Sequence, residues 1–296
     1  MSSAKQLVSN FIVDSQNLMA KLQKDEGGFI KLAEILKSNA GINMVLNDKN
    51  LTLMASRLNS VLKQHQLPGY KEYIKLIESG DPKYFTEFIV SLTTNTTQFF
   101  REPTHFSFLE TKLPEILAQK KQQKNNNLRV WCSASSTGQE VYTLLMVLDN
   151  YLQNLSGCSI KFLATDIDHE VLERASDAIY RESEIGGIPK EYLKKYFHSS
   201  EDEKGIKFQL KSNYRDMIRF ATFNLLTESY PFQYPFDIIF CRNVLIYFDR
   251  ATCEAVIEKL AKSLSVGGIL FLGHSETGMM KTKLLKTISN GVYIKV

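Results

Sequence analysis

Cysteine is scarce in this sequence, which has four in 296 residues: Cys132, Cys158, Cys241 and Cys253. No two of them form a C-x-x-C pair, and no group of cysteines and histidines has the spacing of a zinc site. The sequence therefore predicts reduced thiols in a cytoplasmic protein, and it predicts no metal site.

Long apolar runs are also missing. None approaches the ~20 residues that a membrane-spanning helix needs, and the opening MSSAKQLVSN lacks the apolar core of a signal peptide. The net charge is +4, an excess too small to indicate a nucleic-acid partner. With 44% hydrophobic and 23% charged residues, we expect an ordinary soluble protein of one large domain or two smaller ones.

Familiar catalytic signatures are absent as well. There is no G-x-G-x-x-G, so the dinucleotide fingerprint of an NAD-dependent oxidoreductase fails. No Ser-His-Asp order is present. His274, in LGHSE at the end of a predicted strand, is interpreted as a structural hydrogen-bonding residue rather than a base.

The first part of the chain carries helical patterns and no strand pattern. GFIKLAEILKSNAG and LTLMASRLNSVLKQH both place apolar residues on one helical face, and Gly41 is a suitable C-cap. We predict a helical domain over residues 1–92, with 1–26 flexible, then a linker segment and helix over 93–127. Residues 128–296 are predicted to form an α/β domain.

In that second domain strand patterns alternate with helical ones. LRVWCSA, IKFLATD, FDIIFC and ILFLGH are separated by helices, which predicts a mostly parallel, doubly wound sheet. Between Arg181 and Asn224, KFQLKSN and IRFATFN follow one another as short strands without an intervening helix. We therefore expect a small antiparallel excursion at about residues 181–223.

Two strand ends in this domain are candidates for a nucleotide site. RVWCSASSTGQEVY predicts a strand, a turn of small residues and a helix, either a plain connection or the place where a doubly wound sheet receives a nucleotide. The next strand ends at Asp166, whose carboxylate can accept both ribose hydroxyls of a nucleoside. Asp168 directly precedes the helical pattern and is the better N-cap, which leaves Asp166 as the ligand candidate.

Two further segments set polar residues among apolar ones. TTNTTQFFRE, with Asn95, Thr97 and Arg101, is interpreted either as a capped helix start or as a hinge that faces a ligand crevice. In FDIIFCRNVLIYFDR, Arg242 and Asn243 interrupt an apolar run. Because such side chains are costly to bury without partners, we expect this pair to mark the end of a buried strand at a ligand site.

Together these segments resemble the CheR family, S-adenosylmethionine-dependent methyltransferases that esterify glutamates of chemotaxis receptors. TTNTTQFFRE, VWCSASSTGQEVY, LATDIDHEVLERA and FDIIFCRNVLIYFD carry the resemblance, GGILFLGHSE supports it, and it spans roughly residues 27–296. It implies a small all-helical N-terminal domain and a Rossmann-like methyltransferase domain with an inserted antiparallel β-subdomain. It also implies S-adenosylmethionine as cofactor and S-adenosylhomocysteine as product.

The resemblance implies roles for particular residues. Arg101 and Tyr247 match the pair that family members place at the reacting methyl group, so they are the catalytic candidates. Gln139 and Val141 depart from the family's usual glutamate and proline, but only Glu140 is needed for the implied cofactor contact. Cofactor contacts are implied for Asn95, Thr97, Arg101, Glu140, Asp166, Asn224, Leu225, Arg242 and Asn243.

The implied partner is the cytoplasmic helical bundle of a chemoreceptor, and nucleic acid is not expected. The protein is expected to act as a monomer, peripheral to receptor arrays and not inserted in the membrane. The loop HSSEDEKG departs from the glycine spacing of family members that grip a receptor's C-terminal pentapeptide, so the resemblance does not extend to that tether. Two alternatives stay open: a methyltransferase for another protein, nucleic acid or small molecule, and a non-catalytic binding module.

Overall fold

The computed structural model describes residues 2–93, 96–122, 127–152, 159–279 and 282–296. The chain divides into two compact units, Met1–Thr94 with Tyr247–Asp249, and Asn95–Ile246 with Arg250–Val296. Within the described ranges, no helix combines the length and the apolar composition that crossing a membrane requires.

The first unit is helical. Its helices are α1 (Ser2–Leu22), α2 (Glu26–Ala40), α3 (Asp48–Gln64), α4 (Tyr70–Glu78) and α5 (Pro82–Leu92). The Asp25 side chain caps α2 by accepting a hydrogen bond from Gly28 N at 2.8 Å. At the other end Gly41 adopts a left-handed φ of 59°, which confirms it as the predicted C-cap. Gly41 O accepts a hydrogen bond from Asp249 N at 2.7 Å, which joins residues 247–249 to this unit.

The second unit is built on a mixed sheet. Its strands are β1 (Asn127–Ser133), β2 (Ser159–Asp166), β6 (Ile218–Thr222), β7 (Phe236–Cys241), β8 (Leu264–Leu272), β9 (Leu285–Ser289) and β10 (Val292–Lys295). They lie in the order β6-β2-β1-β7-β8-β10-β9. Strands β6, β2, β1, β7 and β8 pair in parallel, while β10 and β9 are antiparallel. The longer helices are α6 (Pro103–Gln122), α7 (Gln139–Leu152), α8 (His169–Asp177) and α11 (Arg250–Ser263). The predicted α/β fold is confirmed.

A separate antiparallel sheet, β3-β5-β4, is inserted between α8 and β6. It contains β3 (Ile179–Arg181), β4 (Phe197–Asp202) and β5 (Gly205–Leu210), with the short helices α9 (Lys190–Tyr196) and α10 (Ser212–Arg215) beside it in sequence. The excursion was predicted correctly, but the assignment of IRFATFN to it was wrong. Ile218 pairs with Phe162, so β6 is a parallel edge strand of the main sheet. Only its first residue is buried, and α10 has just four residues, so neither left a clear signal in the sequence.

Strand β7 confirms the reading of FDIIFC as a buried strand. All six of its residues are buried, and Phe240 stacks on Phe271 of β8 with ring centroids 4.2 Å apart. Full burial of one such side chain contributes roughly 1.5–3 kcal/mol. The strand is therefore a firm support for the residues that follow its carboxyl end.

Gly138 lies in the turn between β1 and α7. Its backbone conformation favours glycine, and its neighbours leave no room for a side chain. Its φ is +94°, and a Cβ there would lie 2.9 Å from Tyr180 Oη and 3.0 Å from Ala175 Cβ. We expect Gly138→Ala to lower the free energy of unfolding by about 2 kcal/mol, through backbone strain and overpacking. Urea unfolding measures this. Gly186→Ala is the control, since no atom lies within 4 Å of its Cβ position; equal effects of the two changes would contradict the prediction.

Candidate functional site

Four predicted site segments meet at one edge of the main sheet. Glu140 follows β1, Asp166 ends β2, Asn224 follows β6 and Arg242 follows β7. Because these strands are parallel, their carboxyl ends share one edge. The strand order reverses direction between β1 and β7. Ligands of doubly wound sheets bind in the crevice outside such a switch point.

The turn after β1 is tied to the end of β2 by backbone hydrogen bonds. Ala134 and Ser136 adopt positive φ values of 56° and 49°, which folds the turn tightly. Ser135 N donates to Thr165 O at 2.9 Å, and Ser136 N donates to Asp166 Oδ2 at 2.8 Å. Within the part of the chain that the structure describes, the buried Ser135 Oγ has no hydrogen-bond partner. This turn therefore offers an unpaired hydroxyl beside the switch point.

Asp166 keeps acceptor capacity for a ligand. Its carboxylate accepts hydrogen bonds from Ser136 N and, at 3.1 Å, from Asp168 N. Burial raises the pKa of Asp166, and hydrogen bonds from the backbone of Asp168, Ser136 and Ile167 oppose that rise. Two carboxylate oxygens offer about four acceptor positions, so these bonds do not exhaust the group. Asp168 accepts from Glu170 N at 2.9 Å and caps α8, as predicted.

Arg242 is a fully buried cation whose side chain holds other site residues. Its Nε lies 2.9 Å from Glu140 Oε2, and its Nη2 donates to Arg101 O at 2.7 Å. The guanidinium also lies 5.5 Å from the centre of the Phe106 ring. Burial raises the pKa of Glu140, and the charge of Arg242 opposes that rise. Arg242 thus pairs electrostatically with Glu140 and holds the main chain at Arg101, while its buried Nε and Nη1 have no hydrogen-bond partner among the described residues.

The loop after β7 is organised by a buried carboxylate, Glu276. Its Oε2 accepts hydrogen bonds from Asn243 N at 2.9 Å and Gly273 N at 2.7 Å, and its Oε1 accepts from Leu245 N at 2.7 Å. Asn243 has a positive φ of 59°. A Cβ on Gly273 would lie 2.8 Å from Glu276 Oε2 and 3.1 Å from Asn243 N, so a side chain there would displace the carboxylate or the loop backbone. Glu276 therefore sets the backbone of the polar pair that interrupts the apolar run.

Replacing Glu276 with glutamine is expected to lower the free energy of unfolding by about 2 kcal/mol. The new amide NH2 would face backbone N–H donors that the carboxylate now satisfies. Urea unfolding measures the effect, with Glu254→Gln as the control because Glu254 pairs with Arg250 on the surface of α11. A loss no larger than that of the control would show that Glu276 does not organise the loop.

The segment that leads into α6 has unusual backbone geometry. Phe100 and Glu102 have φ values of 55° and 56°, a region that residues other than glycine seldom occupy. Phe100 N donates to Thr143 Oγ1 at 3.2 Å, and Arg101 Nη1 donates to Thr96 O at 3.0 Å. Strain of this kind collects at functional sites. A guanidinium has five N–H donors, so the bond to Thr96 leaves Arg101 donors for a ligand.

The segment after β6 forms hydrogen bonds within itself and with the end of β2. Asn224 Oδ1 accepts from Leu226 N at 2.9 Å, and Phe223 N donates to Asp166 O at 2.8 Å. Leu225 is buried. The segment therefore lies beside Asp166. The cofactor contacts of Asn224 and Leu225 stay predictions.

Three predicted site residues remain: Asn95, Thr97 and Tyr247. Thr97 is half-buried in the segment before α6. Asn95 lies outside the described residues. Tyr247 ends a short 3-10 helix, Leu245–Tyr247, and belongs with Phe248 and Asp249 to the first unit. The role of Tyr247 stays a prediction.

His105, in the first turn of α6, is a buried neutral imidazole. Burial, then the charge of Arg242, lowers its pKa to about 4, against an ordinary value of 6.5. Between about pH 4 and pH 6.5, the unfolded chain therefore binds a proton at His105 that the folded chain does not bind. The stability contributed by His105 is complete above about pH 6.5 and is lost as the pH falls to about 4. NMR of the His105 ring nitrogens should show a neutral ring at pH 5.5, and an imidazolium there would contradict the prediction.

Two parts of the site escaped the sequence analysis. Glu276, in GGILFLGHSE, was not predicted as a site residue. Its place three residues after Gly273 is nevertheless the spacing at which a glutamate side chain accepts a hydrogen bond from an N–H at a helix start. Glu102 and His105 were not predicted as site residues, because His274 and Asn290, which lie close to them, are far along the chain. Glu102 Oε2 is 3.4 Å from His105 Nδ1 and 3.9 Å from His274 Nε2.

Comparison with known proteins finds relatives over nearly the whole chain. The CheR methyltransferase SAM-binding domain matches residues 95–294, and the CheR methyltransferase all-alpha domain matches residues 27–93. The chemotaxis protein methyltransferase of Borreliella burgdorferi is 39% identical over 283 residues, which is 94% of this chain and 97% of that protein. The chemotaxis protein methyltransferase of Escherichia coli is 35% identical over 257 residues, 86% of each chain.

Proposed function

The chain belongs to the CheR methyltransferase family, and from that premise we propose that it transfers a methyl group from S-adenosylmethionine to glutamate side chains of chemotaxis receptors. The product of this transfer is a glutamate methyl ester. The observation that carries the proposal is the meeting of Glu140, Asp166 and the Arg242–Asn243 pair at one edge of the parallel sheet, beside the switch point between β1 and β7.

The residues at this edge fit S-adenosylmethionine. Glu140 and Asp166 offer carboxylates to a cofactor that carries a sulfonium, an ammonium and ribose hydroxyls. The buried Ser135 Oγ adds a hydroxyl that has no partner among the described residues. Asp166 would accept the ribose hydroxyls, and Glu140 would face the cationic end. Arg242 would act through Glu140, which it holds at 2.9 Å.

The chemistry needs no general base from this chain. When bound, S-adenosylmethionine supplies an electrophilic methyl group and leaves as S-adenosylhomocysteine. A glutamate side chain has a reference pKa of about 4.3, so the acceptor is already a carboxylate at pH 7. The residues of the site have to align that carboxylate and exclude water from it.

We assign the alignment to Arg101 and Tyr247. The Arg101 guanidinium can hold a carboxylate through two parallel hydrogen bonds, and its bond to Thr96 O at 3.0 Å orients it. The Tyr247 hydroxyl would direct one carboxylate oxygen or the methyl group. Asn95, Thr97, Asn224 and Leu225 are proposed to complete the cofactor site.

The proposed partner is the cytoplasmic helical bundle of a chemoreceptor, and the proposed location is the cytoplasm. The names of the Borreliella burgdorferi and Escherichia coli relatives, chemotaxis protein methyltransferases, support this partner. We propose that the protein acts as a monomer, peripheral to the receptor arrays. The predicted divisions of the chain are residues 1–92, 93–127 and 128–296. We assign cofactor binding to the last two.

Labelled S-adenosylmethionine tests the proposal directly. The protein is incubated with the label and receptor-bearing membranes, and in parallel with RNA and with DNA. Label is expected on receptor protein and is expected to be released by mild alkali, as carboxyl methyl esters are. Label on nucleic acid, or base-stable label on protein, would favour a methyltransferase of another class. Cofactor binding without any transfer would favour a non-catalytic module.

A further inference from the structure

Glu102, His105 and His274 bring three possible metal ligands together. One donor atom of each lies within 4.8 Å of the other two. Glu102 Oε2 is 3.4 Å from His105 Nδ1 and 3.9 Å from His274 Nε2. Donor atoms around a tetrahedral zinc ion are about 3.3–3.5 Å apart, since the bonds to zinc are about 2.0–2.2 Å long. The cluster is therefore close to the dimensions of a zinc site.

Two of these donor atoms are buried acceptors that face each other. His105 Nε2 is 3.2 Å from Asn290 O. A carbonyl only accepts, so Nε2 carries a proton, and Nδ1 is the ring nitrogen that can serve as a metal ligand. Nδ1 then faces Glu102 Oε2, and within the described ranges neither atom has a hydrogen-bond partner. Opposed acceptors are unfavourable unless a proton or a cation lies between them.

The surroundings of the cluster suit a bound cation. A metal-binding histidine ordinarily donates its second ring N–H to a carbonyl or carboxylate, the role that Asn290 O has here. His274 has 41% of its side chain exposed, which gives an entry path. Arg242 Nε, a neighbouring cation, lies 3.9 Å from Glu102 Oε2 but only 2.9 Å from Glu140 Oε2. Glu140 is thus the nearer counter-charge of Arg242, whose Nε and Nη1 have no hydrogen-bond partner among the described residues.

We propose that Glu102, His105 and His274 bind one divalent transition-metal ion of the zinc class. Imidazole nitrogen and carboxylate oxygen suit such ions, and three protein ligands leave one tetrahedral position for water. The ion would lie between the opposed acceptors and join the start of α6 to the end of β8. No zinc-like spacing marks the site in the sequence, because His274 lies far along the chain from Glu102 and His105. The site does not rest on the proposed methyl transfer.

Titration of the chelator-treated full chain with Zn²⁺ and with Co²⁺ tests the site. Calorimetry is expected to give one Zn²⁺ per chain, and Co²⁺ is expected to give the visible absorption of a tetrahedral ion. Glu102→Gln and His274→Gln should each weaken binding about 100-fold, since even loss of an outer-shell partner costs about 10- to 100-fold. Circular dichroism checks that both variants are folded. The exposed His274 makes that variant the safer of the two.

His65→Gln is the matched control. His65 also pairs with a glutamate, with Nε2 2.9 Å from Glu87 Oε2, but the described part of the chain gives this pair no third ligand. Zn²⁺ binding should be unchanged in this variant. The proposal is overturned if the wild-type chain binds no Zn²⁺, or if His274→Gln binds as tightly as His65→Gln. A proton shared by His105 Nδ1 and Glu102 in a chain without Zn²⁺ affinity would overturn it as well.

Discussion

Replacing Arg101 with alanine is expected to slow methyl transfer about 100-fold, the scale of loss that follows when a reactant is misaligned. The change removes the guanidinium that would hold the acceptor carboxylate. It leaves Arg101 O in place as the acceptor of the 2.7 Å hydrogen bond from Arg242 Nη2. The buried scaffold of the cofactor site therefore survives, and cofactor affinity should fall less than the rate does. Single-turnover transfer and a cofactor titration measure the two effects separately.

Two variants sharpen this prediction. Arg101→Lys keeps the charge but loses the paired donors, so it should recover only part of the rate. Tyr247→Phe removes the hydroxyl alone and should slow transfer without weakening cofactor binding. Full turnover by both Arg101→Ala and Tyr247→Phe, with cofactor bound, would show that the role assignment is wrong.

Glu140→Gln is expected to lower the free energy of unfolding by about 3–4 kcal/mol, because the change leaves the buried Arg242 guanidinium without its closest counter-charge. Cofactor affinity should fall as well, since Glu140 is one of the two carboxylates offered at the sheet edge. Urea unfolding and a cofactor titration measure the two losses. Glu115→Gln is the control, since Glu115 pairs with Lys112 on the surface and the change should have little effect.

A double-mutant cycle separates the ion pair from general damage. Arg242→Gln and Glu140→Gln are combined, and the stability of the double variant is compared with the sum of the single changes. Residues in direct contact show an interaction free energy of about 0.5–3 kcal/mol. Strict additivity would mean that Arg242 and Glu140 do not stabilise each other in the folded protein.

Features set by neighbouring residues could be predicted from the sequence. Asp168 was expected to cap α8 because it directly precedes the helical pattern, and its bond to Glu170 N confirms this. The buried strand β7 was predicted from the apolar run FDIIFC. Gly41 was predicted to be a C-cap because it follows an apolar helical face. Each of these depends on local periodicity or on a single backbone conformation.

Features that join distant parts of the chain could not be predicted in this way. The cofactor contact expected of Arg242 stays a prediction, and no local pattern marked its contacts with Glu140 and the main chain of Arg101. No local pattern marks Glu276 as the acceptor for Asn243 N, because the two meet only when β7 and β8 pair. Edge strand β6 was misassigned for the same reason, since its parallel partner β2 precedes the whole inserted sheet.

The acceptor that we propose is a glutamate side chain of a chemoreceptor. The most direct measurement is mass-spectrometric mapping of the methylated residue in a chemoreceptor cytoplasmic fragment after incubation with the protein and S-adenosylmethionine. We expect the methyl group on glutamate side chains, its loss in mild alkali, and no methylation where a mapped glutamate is replaced by alanine. A methyl group on lysine, arginine or another base-stable position would contradict the account.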